Sequence, residues 1–591
     1  MPMKKIMNKA SDMVSEMCRG LILSHPDLDW DKKYNFIFRK NLRKNKVILI
    51  SGGGSGHEPA HGGFVGEGML DAAVCGDIFA SPSQVQVYQA IKKTGGNQGV
   101  LLIIKNYSGD MMNFRNAAYM AQEDGIDVEY VKVDDDIAVK DSLYTVGRRG
   151  VAGTIFVHKI AGAAAEKGYD LKRVKAIAEK TAQSVRTIGF AFSSCTVPAK
   201  GTPTFTLEED EMEYGVGIHG EPGVRREKTL EADQLGARMA EEVLGELGYK
   251  NSGKMRIAVL VNGLGGTPLQ ELYILNQSVR KALASYDVEV CYNFTGNYMT
   301  SIEMCGASLS ILKLDNELEE LLQEPCYTPG LKITELKKAR EYREEKEEKS
   351  FTVSDDREGV KVNPVVKKDE IKLENITYII QCMMQCIIEH ETEFCDMDAF
   401  AGDGDFGMSV AKGFRKLQEE WEYLLSQKCN TIGEFLEACS MIIMEHCGGA
   451  SGPIWGSAFR GAGKAAGTKT SLSKEAFGEM LWQAVEGIQK TGERSFGRGA
   501  QVGDKTLIDA LVPCAETWRH LAQTDCRAAE IFKEAAAEAV KGAKSTEKIV
   551  ARMGRAGTVG ERSLGHPDAG AYALGIIFTD IAEKLEDGEN V

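Results

Sequence analysis

The chain has no Cys-x-x-Cys pair. Its 14 cysteines are scattered and sit mostly among apolar residues, as in Val74-Cys75-Gly76. A paired-thiolate zinc site is thereby excluded, and reduced, largely buried thiols are expected. No apolar run approaches the roughly 18 residues of a membrane-spanning helix, and the charged stretch 1–20 lacks the apolar core of a secretory leader. No membrane partner is expected, and the expected place of action is the cytoplasm. Basic residues are the minority, 71 Lys and Arg against 86 Asp and Glu, giving a net charge of −15. That balance argues against broad attraction to nucleic acid and favours small-molecule chemistry. What is present describes a globular protein: 43% hydrophobic and 27% charged residues, with 63 glycines that suggest tight turns or ligand-contacting loops. At 591 residues the chain is too long for one core, and roughly two to four domains are expected.

A buried-strand pattern, Val47-Ile48-Leu49-Ile50, runs into Ser51-Gly52-Gly53-Gly54-Ser55-Gly56-His57-Glu58-Pro59, which reads as a strand followed by a glycine-rich loop. The loop lacks the Gly-Lys-Ser/Thr ending of a P-loop. Open backbone N–H groups beside an imidazole suit a small polar substrate; the alternative is a tight turn with a packed histidine. Residues 100–104 form a second such strand, leading to Lys105-Asn106-Tyr107-Ser108-Gly109-Asp110 at the strand end where open α/β sheets place ligands. A third, 128–133, ends at Asp134-Asp135-Asp136, which without interleaved glycine ranks below the later aspartate cluster as a metal site; a solvated loop is the alternative. Alanine-rich helices at 152–166 and 171–185 complete one α/β unit, and strands at 188–192, 257–261, 288–292 and 309–314 predict another. Within the second, Tyr214-Gly215-Val216-Gly217-Ile218-His219-Gly220-Glu221 sets a histidine among small residues, so the ring is expected to stand open towards a ligand. Asn262-Gly263-Leu264-Gly265-Gly266 is a further strand-end loop that a tight turn explains equally well.

Residues 337–349 hold eleven charged side chains among thirteen, and ion pairs four apart predict an exposed helix there. Together with a polar stretch containing Pro364, this makes 333–370 the expected linker. It separates an α/β part, 1–332, with subdomains of about 1–185 and 186–332, from a different kind of part, 371–591. There Ile376, Ile379, Ile380, Met383, Met384, Ile387 and Ile388 follow helical spacing. Further helices are expected at 409–425, 432–446, 474–490, 507–522, 528–542 and 571–585, which predicts an all-α bundle or barrel of about eight helices. Glycine-rich joints at 448–452, 497–504 and 554–557 stand between them. The loop Asp398 to Asp405 places three carboxylates within eight residues, separated by Gly402 and Gly404. Such a loop suits a hard cation, and Mg²⁺ with nucleotide phosphates is the natural occupant; the alternative is an acidic turn.

These stretches together resemble the single-chain, ATP-dependent dihydroxyacetone kinases. The resemblance is carried by residues 52–68 (GGGSGHEPAHGGFVGEG), 105–113 (KNYSGDMMN), 142–152 (SLYTVGRRGVA), 217–221 (GIHGE), 398–407 (DAFAGDGDFG), 448–456, 503–511 (GDKTLIDAL) and 554–570. It implies an α/β substrate-binding domain of two subdomains followed by an all-α nucleotide-binding domain. It implies that His219 holds dihydroxyacetone, or glyceraldehyde, as a covalent hemiaminal. Gly54, Ser55, Gly56 and Lys105 would contact the substrate, and His57 and Asp110 would serve as the acid-base pair. Asp398, Asp403 and Asp405 would bind two Mg²⁺ ions under ATP. Asp403, Gly404, Asp405, Phe406, Ala450, Ser451 and Arg555 would face the phosphates, with Gly499, Leu507 and Ile508 along the adenine and Asp568, Ala569 and Gly570 closing the pocket. A homodimer, the helical domain of one subunit serving the other, is implied in the same way. The sequence departs from the family at Ala450, where a hydroxyl is common, at Phe406, and at Pro567, which precedes Asp568 instead of following it. Three other readings stay open: a lyase forming cyclic FMN from FAD in the helical domain, a kinase acting on a related short ketose such as erythrulose, and a binding protein that takes phosphate from a carrier.

Overall fold

The computed structural model describes residues 5–139, 147–251, 254–344, 362–426, 429–554 and 556–587. The chain divides into two compact units, Met1–Glu345 and Lys346–Val591.

The first unit holds two six-stranded sheets. One contains β1 (Leu28–Asp31), β2 (Phe36–Arg39), β3 (Ile48–Ser55), β4 (Ala72–Ile78), β5 (Val100–Lys105) and β6 (Val128–Val133), in the order β1-β2-β4-β3-β5-β6. Strands β3 to β6 run parallel, with the β1–β2 hairpin antiparallel at one edge. Central parallel strands are covered on both faces, which is why β3 and β5 read as unbroken aliphatic runs. Ile48, Ile50, Leu102 and Ile104 face the helices Gln84–Thr94 and Ser108–Glu123, while Leu49, Leu101 and Ile103 face Thr154–Glu166 and Leu171–Ser184. The second sheet contains β7 (Val185–Ala191), β8 (Glu211–Tyr214), β9 (Arg225–Lys228), β10 (Met255–Gly263), β11 (Val288–Gly296) and β12 (Gly306–Lys313), in the order β11-β10-β12-β7-β8-β9. The helix Thr154–Glu166 packs with residues of both sheets, among them Leu101 and Tyr292, so it is apolar nearly all round.

Two local expectations change. The glycines 52–54 are not loop but part of β3, paired in register with β4. Space demands them: a Cβ on Gly52 would stand 2.4 Å from the Val74 carbonyl, and one on Gly54 2.6 Å from the Ala80 nitrogen. The helix expected across 337–349 is absent from its described part, 337–344. There the Ala339 N–H donates to the Cys291 carbonyl on β11, so the backbone bonds to the sheet edge instead of to itself. A stretch without an apolar stripe has nothing to hold a helix in place. The rest of the expected helix lies outside the described residues.

The second unit is helical, with ten α-helices among the described residues. Eight are long: Leu373–Glu389, Phe406–Glu419, Ile432–His446, Ser451–Ala466, Lys474–Phe496, Ile508–Leu521, Ala528–Ser545 and Ala569–Lys584. Glu391–Asp398 and Trp421–Ser426 are short. One apolar core draws on all eight long helices. The helix Ser451–Ala466 escaped the sequence reading because glycine interrupts it four times, and glycine disfavours helix interiors by about 1 kcal/mol. Packing overrides that preference. A Cβ on Gly461 would lie 2.2 Å from the Gln483 carbonyl, and one on Gly456 2.1 Å from Met444, so the glycines let two neighbouring helices approach closely.

Candidate active sites

In the first unit, loops at the carboxyl ends of β3 and β5 meet a segment from the second sheet. His57 follows β3 and is fully buried. Its Nδ1 lies 2.9 Å from the Thr300 carbonyl, which only accepts, so Nδ1 carries the proton and Nε2 keeps its lone pair. That Nε2 stands 3.3 Å from Nε2 of His219. Burial, then Lys105 and His219, hold the His57 ring well below the usual imidazole range. Burial pulls His219 down to about 4, against Glu221 and with help from Lys105 and Arg149. Both rings are therefore neutral near pH 7, and the proton between them belongs to His219.

The expectation of an unshielded His219 is corrected in part: the residue is partly exposed, but its ring is not bare. Its ring meets Tyr107 edge-on at a centroid distance of 4.4 Å, Phe79 at 5.4 Å and His57 at 4.8 Å. The small neighbours in its own segment make room for aromatic rings from the other sheet. The acidic loop after β6 is corrected too: Asp135 and Asp136 are buried, and Asp135 accepts from the N–H groups of Val151 and Gly153, both at 2.8 Å.

Lys105 and Asp110 complete this site. Both are buried, and they approach the strand where Gly53 leaves space: a Cβ there would lie 3.1 Å from Lys105 Nζ and 3.4 Å from Asp110 Oδ2. Among the described residues, Lys105 Nζ and Tyr107 Oη have no hydrogen-bond partner. Burial pushes the Asp110 carboxyl up, against Lys105 and Ser81, and pulls the Lys105 ammonium down, against Asp110. Ser81 Oγ donates to Asp110. A carboxylate raised towards neutral pH is a better proton acceptor than an ordinary one. Ser55 spends its hydroxyl on the Gly76 carbonyl at 2.8 Å, and its own carbonyl accepts from the Phe79 N–H at 2.9 Å.

In the second unit, oxygen atoms of Asp398, Asp403 and Asp405 lie within 4.8 Å of one another, with Asp403 exposed. Asp398 ends a helix and Asp405 precedes the next, and the turn between them is tight. The Gly404 N–H donates to Asp398 Oδ2 at 2.9 Å, Gly404 has φ +76°, and a Cβ on Gly402 would stand 2.2 Å from Asp398 Oδ1. Three carboxylates this close repel unless a cation joins them, and oxygen-only donors suit Mg²⁺. The residues fit that ion.

Other segments gather nearby. The Gly448 N–H donates to the Ser409 carbonyl, seating the joint before Ser451 on the helix that Asp405 precedes. Lys505, 2% exposed, donates to the carbonyls of Thr546, Ser563 and His566, which ties the 503–506 loop to the segment before Asp568. The His566 ring stacks on Phe400 at 3.7 Å, next to the aspartate loop. Burial pushes Asp568 up to about 7, against the Ala571 N–H and with help from Asp509 and Asp398. Ala450 is exposed, Phe406 and Leu507 pack on the core rim, and Ala569 is buried. Gly499 lies against the Gln489 backbone, Gly570 beside Leu507, and Ile508 is fully buried. Arg555 lies outside the described residues, as do positions 142–146 of one matched block.

Comparison with known proteins bears on both units. The Dak1 domain model matches residues 19–330 and the DAK2 domain model residues 400–583. An L-erythrulose 1-kinase of Mycolicibacterium smegmatis is 33% identical over 99% of this chain and 100% of its own. The chain belongs to the dihydroxyacetone kinase family. The Triokinase/FMN cyclase of Mus musculus is 32% identical over 99% of each chain. The dihydroxyacetone-binding subunit DhaK of a PTS-dependent dihydroxyacetone kinase of Listeria innocua is 52% identical over 53% of this chain and 95% of its own. Among solved structures, the dihydroxyacetone kinase from C. freundii in complex with AMP-PNP and Mg²⁺ matches with a TM-score of 0.59 and 32% identity, over 98% of this chain and 100% of that one. The protein is thus a two-domain kinase of this family, with an α/β unit followed by a helical unit.

For a dihydroxyacetone-family kinase, the sequence named the groups that meet in the first unit but missed what holds them: Phe79, Ser81, Tyr107, Arg149, Glu221 and Thr300. Glu221 and Arg149 lie inside matched blocks. Phe79 and Thr300 carry no local signal, and only the meeting of the two sheets brings them in. Among the described residues, no helix is long and apolar enough to cross a membrane.

Proposed function

We propose that the protein transfers the γ-phosphoryl group of ATP to dihydroxyacetone, and to glyceraldehyde, with the acceptor held as a hemiaminal on His219. The observation that carries this reading is the 3.3 Å contact between the Nε2 atoms of two neutral imidazoles, His57 fully buried and His219 partly exposed. As His219 Nε2 forms its bond to the substrate carbonyl carbon, its proton passes to His57 Nε2. The carbonyl π pair moves to oxygen, and His57 returns the proton there. The sum is addition of N–H across C=O, with no net charge left on the adduct. Gly54, Ser55, Gly56 and Lys105 would line the hydroxyls of the bound triose, the Gly56 N–H itself being held by the Glu58 carboxylate at 3.0 Å. Asp110 accepts the proton of the terminal hydroxyl as its oxygen attacks the γ-phosphorus and ADP departs.

Asp398, Asp403 and Asp405 would hold two Mg²⁺ ions. Bound there, Mg²⁺ supplies neutralisation of the phosphate charge, the main demand of phosphoryl transfer. Ser451, Ala450, Gly404 and Arg555 would contact phosphate, and Asp568 to Gly570 would close the nucleotide pocket. Because acceptor and donor sites lie on separate units, we further propose a homodimer in which each helical unit serves the partner's α/β unit. A light-scattering mass of one chain under turnover conditions would refute that pairing.

The test of the activity is a panel of dihydroxyacetone, glyceraldehyde, erythrulose and glycerol with ATP and Mg²⁺, and no phosphocarrier added. Phosphorylation of the carbonyl substrates and none of glycerol is expected; glycerol turnover equal to that of dihydroxyacetone would end the hemiaminal reading. Preference for erythrulose would align the protein with its erythrulose kinase relatives. A second reading, cyclisation of FMN from FAD, is motivated by the name of the mouse relative, and a cyclic flavin product formed from FAD with Mn²⁺ would establish it.

A further inference from the structure

His219 is carried by the second sheet, yet His57, Phe79 and Tyr107, the rings it meets, come from the first. Something must fix the distance between the two. Arg149, just before the helix Thr154–Glu166, is 4% exposed and uses three donors in three directions. Nε donates to Asp136 Oδ2 at 2.6 Å, Nη1 to Glu221 Oε1 at 3.0 Å and Nη2 to the Gly215 carbonyl at 2.9 Å. The other oxygen of Glu221 accepts the backbone N–H of His219 itself, at 2.7 Å. The Asp136 N–H donates to the Arg149 carbonyl, so the acidic loop after β6 and Arg149 brace one another, and Asp135 ties that loop to Thr187 on β7. Gly217 leaves room for the arrangement: a Cβ there would stand 1.8 Å from Glu221 Oε1 and 2.8 Å from Arg149 Nη1.

We propose that Arg149 is a positioning residue for His219: a bolt between the two sheets that, through Glu221 and Gly215, holds the histidine backbone where its Nε2 meets His57. The planar guanidinium suits the task, because it presents donors in fixed divergent directions that a lysine ammonium cannot reproduce. The catalytic consequence rests on the reading of His219 as the carbonyl nucleophile; the positional one does not.

The experiment uses the full-length chain and two readouts. One is kcat/KM for ATP-dependent phosphorylation of dihydroxyacetone. The other is the ¹⁵N spectrum of histidine rings without substrate, with the His219 signals assigned by their loss in His219→Ala. Arg149→Lys is expected to lower kcat/KM about 100-fold, the scale of an ångström-sized misplacement, to leave KM for ATP unchanged, and to move the His219 ring signals while far-UV circular dichroism stays as in the parent. A bolt that serves stability alone would lower the unfolding temperature and leave both readouts, per folded molecule, at parent values; that result overturns the proposal. Should Arg149→Lys fail to fold, Glu221→Gln decides at the partly exposed end of the network. It is expected to move the same ring signals and lower kcat/KM about tenfold, and no change in either overturns the proposal. If the parent phosphorylates none of the ketoses, the hemiaminal reading falls, and the ring spectra still decide whether Arg149 positions His219.

Discussion

In the α/β unit the reactive imidazoles lean towards neutrality: His57 has no exposed surface, and the partly exposed His219 is pulled down to about 4. In the helical unit three carboxylates converge within 4.8 Å on a loop whose Asp403 is exposed. The first site is assembled by packing and by hydrogen bonds, and its neutral rings can be brought together at little electrostatic cost. The second keeps like charges together at a solvent-facing turn, where ions and phosphates arrive with their own hydration. On the proposed function, the contrast matches a division of labour between capturing a carbonyl, which needs a neutral nucleophile, and carrying triphosphate, which needs positive charge.

The sharpest way to break this division is to disable each side separately. Asp403→Ala is expected to lower ATP-dependent turnover by about 10²–10³-fold, the scale of a lost transition-state stabiliser, while binding of dihydroxyacetone to the chain is retained by calorimetry. His219→Ala should do the reverse, losing dihydroxyacetone binding and keeping Mg²⁺-dependent nucleotide binding. If either substitution removes both binding functions in a folded chain, the sites are not independent.

The neutral imidazoles make a second prediction. His57, His61, His158 and His219 are all held below the usual imidazole value, chiefly by burial, His158 at about 3 and His219 at about 4. Between the unfolded value, near 6.5, and about 4, the unfolded chain binds these protons and the folded chain does not. Stability is therefore lost as pH falls through that window. Each ring contributes about 1.4 kcal/mol per pH unit. Chemical denaturation at a series of pH values should show the α/β transition weakening with acid, and His158→Gln should flatten its slope by one ring's share. An unchanged slope would mean that His158 is charged in the fold.

The smallest effects separate glycines that packing requires from those it does not. Gly461→Ala should destabilise the helical unit by about 1–2 kcal/mol, because the new methyl meets a backbone carbonyl that cannot step aside, an overpacking cost exceeding the gain in helix propensity. Gly20→Ala, on the helix Met13–Ser24 with nothing within 4 Å, should stabilise by about 0.5–1 kcal/mol. Denaturation midpoints measured by helical and tryptophan signals check both.

The parallel strands β3 and β5, the amphipathic helices and the aspartate loop were legible because each obeys a short-range rule: a buried aliphatic run, a 3.6-residue spacing, carboxylates separated by glycine. The helix Ser451–Ala466 was not, since its glycines look like a joint until the neighbouring helices are in place. The acidic loop after β6 was misjudged for a related reason. Charged residues are usually solvated, and only the arrival of Arg149 and two backbone N–H groups from elsewhere in the chain makes Asp135 and Asp136 interior.

By itself the sequence determined the kinds of chemistry available: imidazoles beside glycines, three carboxylates on one turn, a helical part after an α/β part, and no apolar run for a membrane. The tertiary structure decided which groups meet. His57 and His219 are 162 residues apart, and Thr300, which fixes the His57 tautomer, is another 243 from it. No local pattern encodes such distances, because they follow from how two sheets pack around a shared helix. What surrounds a reactive group, and hence its charge, is a property of the packed chain.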